Sequence, residues 1–445
     1  MPPAELRPVA VVGAGLAGVT AASALRKRGI PVRLYEAGRQ IAGLAASFQD
    51  EEGFTNDFGA HFVTNRLAEA IGVGSRCRDV RHYGEAVLVG GRVYGYPFGL
   101  LGNPRFLLSG IAARVGHRTN GTSRSAAEWF RAAYGPALAN AVAIPLVEAW
   151  SGATAESLAP TVATEKLLHS VLHTLYLKLA SQVTGRAVAS GYSHEMPESP
   201  SVWHVYPEGG VSTLVQRLAD DLEDSILLES PVEAIIVDSD RAVAVRVRGR
   251  EVEVSAVIST APCHVLPRLV VGTNALQHLA RFRFRPMVFV NLRLRGRGLI
   301  QDTVLWTPES HFPFFRITET TRSMPWLAPA GKTVLTVDLG CEVNDPIWSS
   351  PDDRLVELCL DHLTPIVRDV RQRFLGAQVL RTPIAYPIFL NEYESDRLRL
   401  RQSTGVKGLY SIGRNGEFAH ILMEDVYWRT LTRVRQLVRD LEFDT

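Results

Sequence analysis

The stretch Pro8–Gly38, PVAVVGAGLAGVTAASALRKRGIPVRLYEAG, constrains the fold more than any other part of the chain. Val9–Val12 reads as a short buried strand, all apolar and mostly β-branched. Gly13, Gly15 and Gly18 follow as G-x-G-x-x-G, and a small-residue helix runs on to about Arg28. Gly29 ends that helix, Pro31 comes just after, and a second strand, Val32–Tyr35, delivers Glu36. Gly13 permits a tight turn, Gly15 lets a pyrophosphate approach the backbone, and Gly18 lets helix and strand pack closely. Leu16 and Ala17 lie between them, where the helix N-terminus faces the anion. Glu36, with Ala37 beside it, stands where a carboxylate would hold a ribose hydroxyl pair. Strand, glycine loop, helix, strand and acid in this order predict an α/β fold with a Rossmann-like dinucleotide-binding domain.

With 445 residues the chain suggests two or more domains, or one large interleaved unit. A content of 46% hydrophobic and 21% charged residues is that of a globular protein, and a net charge of +2 gives no general pull toward nucleic acid. The four cysteines, Cys77, Cys263, Cys341 and Cys359, are far apart and form no CxxC, so no metal or redox motif is expected. A reduced, cytoplasmic compartment is the expectation. No hydrophobic region precedes the first strand, and no apolar run reaches the roughly 20 residues of a transmembrane segment.

The glycine motif alone does not separate NAD from FAD. The continuation EAGRQIAGLAASFQDEEGFTNDFGAHFVTN adds a second glycine-bearing segment around Gly43 and Leu44, and another at Gly59–His61. These segments resemble flavoproteins of the amine oxidase and protoporphyrinogen oxidase superfamily, which includes UDP-galactopyranose mutase-like enzymes. There an E-x(5)-G-G segment extends the FAD pyrophosphate site; here Ala42 replaces the first of its two glycines. A D-x-G-x-H segment then passes beside the flavin, matched by Asp57, Gly59 and His61. The resemblance implies FAD as cofactor, and places Val232 and the Thr260-Ala261-Pro262 segment near its adenine half.

At the other end, GLYSIGRNGEFAHILMEDV reads as the last strand of the dinucleotide sheet, a glycine turn and a helix start. A helix N-terminus there offers unpaired N–H groups and partial positive charge to a flavin. Gly413, Arg414, Phe418, His420, Met423 and Glu424 match the family segment G-R-x(3)-[YF]-x-[YH]-x(2)-M-[DE]. Arg414 is a candidate phosphate partner.

Five segments are expected: residues 1–86, 205–265 and 376–445 as parts of the FAD domain, 87–204 as a mainly helical insertion, and 266–375 as a mixed sheet. The two insertions form a mixed α+β substrate domain. Within the first, TEKLLHSVLHTLYLKLASQ carries an apolar stripe at helical spacing, read as packed core in preference to a membrane-surface helix. The run SILLESPVEAIIVDSDRAVAVRVRGREVEVSAVISTAP reads as a β-meander with turns at Ser239-Asp240 and Gly249-Arg250.

No second G-x-G-x-x-G follows a strand, so a glutathione-reductase-like NAD(P)H domain is not expected. Amine oxidases of the resembling superfamily carry a lysine on a strand similar to RPMVFVNLRLRG, which here has none. His61 and His420 are the candidates for positioning or proton transfer, since a neutral imidazole accepts a proton near neutral pH. Arg316 and Tyr386 are candidate substrate ligands; the strand resembling FPFFRIT in the mutases bears a pyrophosphate-binding arginine. In LVEAWSG, Glu148 stands where relatives have a lysine. The expected activity is FAD-dependent oxidation or desaturation of a small organic molecule, with oxygen or another acceptor taking the electrons. A redox-neutral nucleotide-sugar mutase and a non-catalytic binding protein of the GDP-dissociation-inhibitor type remain as alternatives.

Overall fold

The computed structural model describes residues 7–116, 123–164 and 171–443. The elements that position the site begin with β1 (Val9–Val12), α1 (Leu16–Arg26) and β2 (Val32–Tyr35). Next come α2 (Pro104–Gly116), α3 (Ile144–Ser151), α4 (Val171–Thr184) and β3 (Ala256–Ser259). The chain then forms β4 (Phe284–Arg295), β5 (Arg316–Glu319), β6 (Lys332–Gly340), β7 (Phe374–Pro387), β8 (Leu409–Ser411) and α5 (Met423–Phe443).

A five-stranded sheet has Ile226–Leu227 at one edge, then β2, β1, β3 and β8, every pair parallel. Strands buried on both faces are mostly apolar, as β1 is throughout and β3 is up to the buried Ser259 at its end. Leu16–Leu25 of α1 are all buried, because α1 lies between this sheet and α5. α1 stops at Arg26, two residues before the expected end, and Gly29 takes the left-handed conformation at φ +74°. The meander forms as Val232–Asp238, Arg241–Val247 and Arg250–Glu253. Its turns centre on Ser239-Asp240 and Arg248-Gly249, the second one residue earlier than expected; all four residues have positive φ, as tight hairpins with right-handed strand twist require.

The second large sheet has seven strands, in the order β7, β4, β6, β5, Val304–Trp306, Glu85–Val89 and Arg92–Gly95. The mixed sheet expected between residues 266 and 375 forms as β4, Val304–Trp306, β5 and β6 within it. It joins chain from before and after the helical stretch, since Val304–Trp306 pairs in parallel with Glu85–Val87. The boundary expected between residues 375 and 376 falls inside β7, which pairs with β4 along most of its length. Residues 376–387 therefore lie in the seven-stranded sheet, not with the dinucleotide sheet.

Part of the stripe expected to be core in TEKLLHSVLHTLYLKLASQ faces outward. Residues 165–170 lie outside the described residues; among the described side chains of α4 Leu177 is inserted, while Leu175, Tyr176, Leu179 and Val183 are exposed. Helical spacing identifies a common face but not what that face meets.

Candidate cofactor and reaction site

Two chain turns build the cradle at the end of β1. Gly13 has φ +94°, and a Cβ there would come within 2.5 Å of Thr260 Oγ1. That hydroxyl donates to the Val12 carbonyl at 2.8 Å and so ties the end of β3 to the loop. A Cβ on Gly18 would stand 1.9 Å from the Gly13 carbonyl oxygen, so glycine alone allows helix and strand this close. No side chain caps the N-terminus of α1, which leaves first-turn N–H groups for an anion. The second glycine segment closes on the first: Ala42 N–H donates to Ala14 O at 2.8 Å, and a Cβ on Gly43 would approach Gly15 Cα at 3.5 Å. Ala42 itself has φ +89°, a conformation that favours glycine.

Glu36 sits at the end of β2 as expected. Its Oε2 accepts from Ala14 N–H at 2.7 Å and its Oε1 from Gly38 N–H at 2.8 Å. Each oxygen keeps a further lone pair for a hydroxyl. Ala37 is exposed beside it and Leu44 half-buried. Ser230 N–H donates to Glu36 O at 2.8 Å, which brings the start of the meander, and Val232, to the same end of the sheet. The C-terminal segment supplies the third wall, since a Cβ on Gly413 would meet Ala17 Cβ at 2.7 Å. This glycine-lined cradle, with a free helix N-terminus and a carboxylate beside it, fits the pyrophosphate and ribose of FAD.

The reacting end is assembled from the second sheet and the C-terminal turn. β5 and β6 pair so that Arg316 lies opposite Asp338. Arg316 Nε donates to Asp338 Oδ2 at 2.8 Å, and Nη2 reaches the same oxygen. Burial works against both charges, but Asp338 holds the guanidinium above its usual range. Burial pushes the Asp338 carboxyl up while Arg316 pulls it back; since arginine does not release its proton, the pair is ionic. The Arg316 guanidinium also stands 5.6 Å from the Trp306 ring centre. Gly59 is compressed beside it: a Cβ would meet Phe289 at 2.9 Å and Arg316 Nη2 at 3.3 Å.

Arg414 faces the same space. Its guanidinium lies 5.0 Å from the Tyr386 ring centre and its Nη2 is 3.5 Å from His420 Nδ1. Trp150, from α3, packs against both rings, with centroids 5.1 Å from Tyr386 and 5.0 Å from His420. Burial pushes the Arg414 guanidinium below its usual range and the charge of Arg316 adds to this, while Tyr386 opposes it. Arg414 Nε is buried with no hydrogen-bond partner among the described residues.

His61 Nδ1 is buried and likewise without a partner. Burial lowers its pKa; Asp57 raises it, and Arg414 and Arg316 lower it again, so the ring is neutral near neutral pH. Asp57 is held by Ser47 Oγ at 2.6 Å and by the Tyr206 hydroxyl, and burial raises its carboxyl pKa.

The fold thus brings His61, Arg316, Tyr386, Arg414 and His420 together. Glu424 is not with them. Its carboxylate accepts from Arg66 at 2.6 Å, Thr64 at 3.0 Å and Trp428 at 3.4 Å, and so ties α5 to the segment after His61. Met423, half-buried, packs on the core around α1. Glu148 accepts from Ala155 N–H at 2.8 Å and pins the turn after α3. Asp338 and Trp306 escaped the sequence reading. The signal for Asp338 was present: a lone carboxylate inside the apolar strand TVLTVDLG requires a buried cation.

The family model for flavin-containing amine oxidoreductases matches residues 16–427. The fold is similar to that of reduced UDP-galactopyranose mutase, with 17% identity and a TM-score of 0.80 over 97% of this chain and 94% of the other. It is also similar to an Exiguobacterium sp. 255-15 protein assigned as a protoporphyrinogen oxidase, with 19% identity and a TM-score of 0.74 over 98% and 99% of the two chains. For cyclohexylamine oxidase from Brevibacterium oxydans IH-35A the values are 17% and 0.70, over 98% and 99%. No functionally curated protein matches the sequence.

Proposed function

The chain belongs to the flavin-containing amine oxidoreductase family, with FAD as its cofactor, and from that premise we propose that it oxidises or desaturates a small organic substrate between His61, Arg316, Tyr386 and His420. The observation that carries the choice is the buried Arg316–Asp338 pair. In a nucleotide-sugar mutase the corresponding arginine would be left free for a diphosphate; here its charge is already met by a carboxylate across the sheet. A diphosphate would have to displace Asp338 or leave it buried beside a second anion, which is costly. Bound FAD supplies the acceptor for a hydride. The chain's own groups hold and enclose the substrate: Trp150 and Tyr386 form an aromatic wall that excludes water, Arg414 presents an unmatched positive charge, and His61 is a neutral imidazole able to accept a proton. With no lysine on β4, the substrate class is not restricted to amines.

The test is anaerobic. Oxidised holoenzyme mixed with candidate metabolites should bleach on turnover with its substrate, and an added acceptor should restore the colour. Turnover that needs prior chemical reduction, with the flavin still reduced at the end, replaces this reading with the mutase reading. A protein that takes up no FAD on reconstitution supports a non-catalytic binding role.

A further inference from the structure

Two helices, α2 and α4, turn apolar residues toward solvent. A surface helix buries its apolar face and shows its polar one. Among the described side chains of α2, Phe106 is the large apolar one that is buried, while Leu107, Leu108 and Ile111 are 41%, 66% and 51% exposed. On α4 Leu177 is inserted, and Leu175, Tyr176, Leu179 and Val183 are 42%, 54%, 52% and 87% exposed. The 3₁₀ turn Phe98–Gly102 joins the two helices. Its Leu100 shares a small core with Phe106, and Lys178 of α4 donates to Tyr96 O at 2.8 Å and lies 5.7 Å from the Phe98 ring centre. Leu101 of that turn is 45% exposed. Scattered single apolar residues on a surface are ordinary, but eight of the thirteen large exposed ones among the described residues gather on this one face.

The charge carried by the two helices themselves is positive. Between Glu85 and Glu128 the sequence has no acid and five arginines, among them Arg105 and Arg114 on α2. Neither of these two has an ion-pair partner among the described residues. α4 carries His173 and Lys178 and no acid. The carboxylates that act on α4 are Glu85 and Asp302 on Lys178 and Glu198 beside His173; Asp302 is 22% exposed and bound by His82, and Glu198 is 6% exposed. A same-face contact with a second copy would set arginine against arginine. Among the described residues no helix is long and apolar enough to cross a bilayer, for which about 20 residues are needed.

We propose that the outward faces of α2 and α4 dock this protein on an anionic lipid bilayer, the two helices lying in the headgroup plane with their leucines in the acyl boundary and the arginines among the lipid phosphates. This attachment is independent of the reaction proposed above and is read without substrate.

Holoenzyme is floated with unilamellar phosphatidylcholine vesicles, with and without phosphatidylglycerol. Wild type should float with the anionic vesicles and much less with the neutral ones. Leu108→Glu/Leu179→Glu should weaken anionic-vesicle binding by roughly tenfold or more, since each change removes one deeply buried anchor. FAD content and the unfolding temperature should not change, because both positions are on the outside. Arg105→Glu/Arg114→Glu should abolish the preference for anionic over neutral vesicles. Wild type that ignores anionic vesicles overturns the proposal, as does a leucine double variant that floats as well as wild type. A wild-type dimer made monomeric by the leucine changes, with no vesicle binding, also overturns it and assigns the face to a second copy.

Discussion

His204 is 2% exposed and sits in an aromatic box, with the rings of Phe62, Tyr83 and Tyr192 at 5.5, 5.4 and 4.9 Å. Burial drives its pKa down to about 4, with only a backbone contact to Val63 opposing. The folded value lies below the unfolded one, so as pH falls from about 6.5 the unfolded chain takes up the proton first. Stability is therefore lost between about pH 6.5 and 4, by at most roughly 3 kcal/mol for this one group. His204→Phe keeps the box apolar and removes the titration. Denaturant unfolding at steps across that range should give a flatter stability profile for the variant; parallel profiles would show that His204 does not titrate in this way. The residue scale is also where the sequence misled most. Arg316 was recognisable as an unusual arginine, but its partner Asp338 lies 22 positions away and meets it only through the register of β5 and β6. Glu424 matched a motif position, yet its oxygens are spent on Arg66 and Thr64.

At the scale of elements, the β1–α1–β2 unit is the part most dictated by local chemistry. The bounds of β1 and β2 were legible to the residue because β-branched runs, glycines and Pro31 fix them from within. The seven-stranded sheet was legible as a set of strands but not as an order, since pairing such as Val304 with Glu85 joins positions no local pattern connects. The outward stripe of α4 was legible as a stripe and not in its direction. The same local unit gives a sharp prediction. Alanine favours a helix over glycine by roughly 1 kcal/mol. In Gly18→Ala the new Cβ would nonetheless stand 1.9 Å from the Gly13 carbonyl, backbone against backbone, and overpacking costs of about 1–3 kcal/mol or more outweigh the gain. The variant should purify with less FAD and unfold at lower temperature. Full flavin content with raised stability would mean that helix and strand are not in contact there.

For the molecule as a whole, the cradle is shared by three separate parts of the chain: the loop after β1 with the Ala42-Gly43 turn, the end of β3 at Thr260, and the turn at Gly413. A ligand held by all three binds only the folded chain and stabilises it by mass action, by about 2.7 kcal/mol at a hundredfold excess over its dissociation constant. Deflavinated protein should thus unfold several degrees lower than holoenzyme, and added FAD should restore the difference in a concentration-dependent way. An unfolding temperature indifferent to FAD would separate the cofactor from these segments.

The position of Gly413 so late in a 445-residue chain also sets an order in time. Chains are synthesised from the N-terminus at about 5–20 residues per second. The glycine loop and Glu36 emerge several hundred residues ahead of the turn that closes over them. A nascent chain that has not yet reached Gly413 therefore holds only part of the cradle, and the cofactor meets all three walls only after that turn has been made.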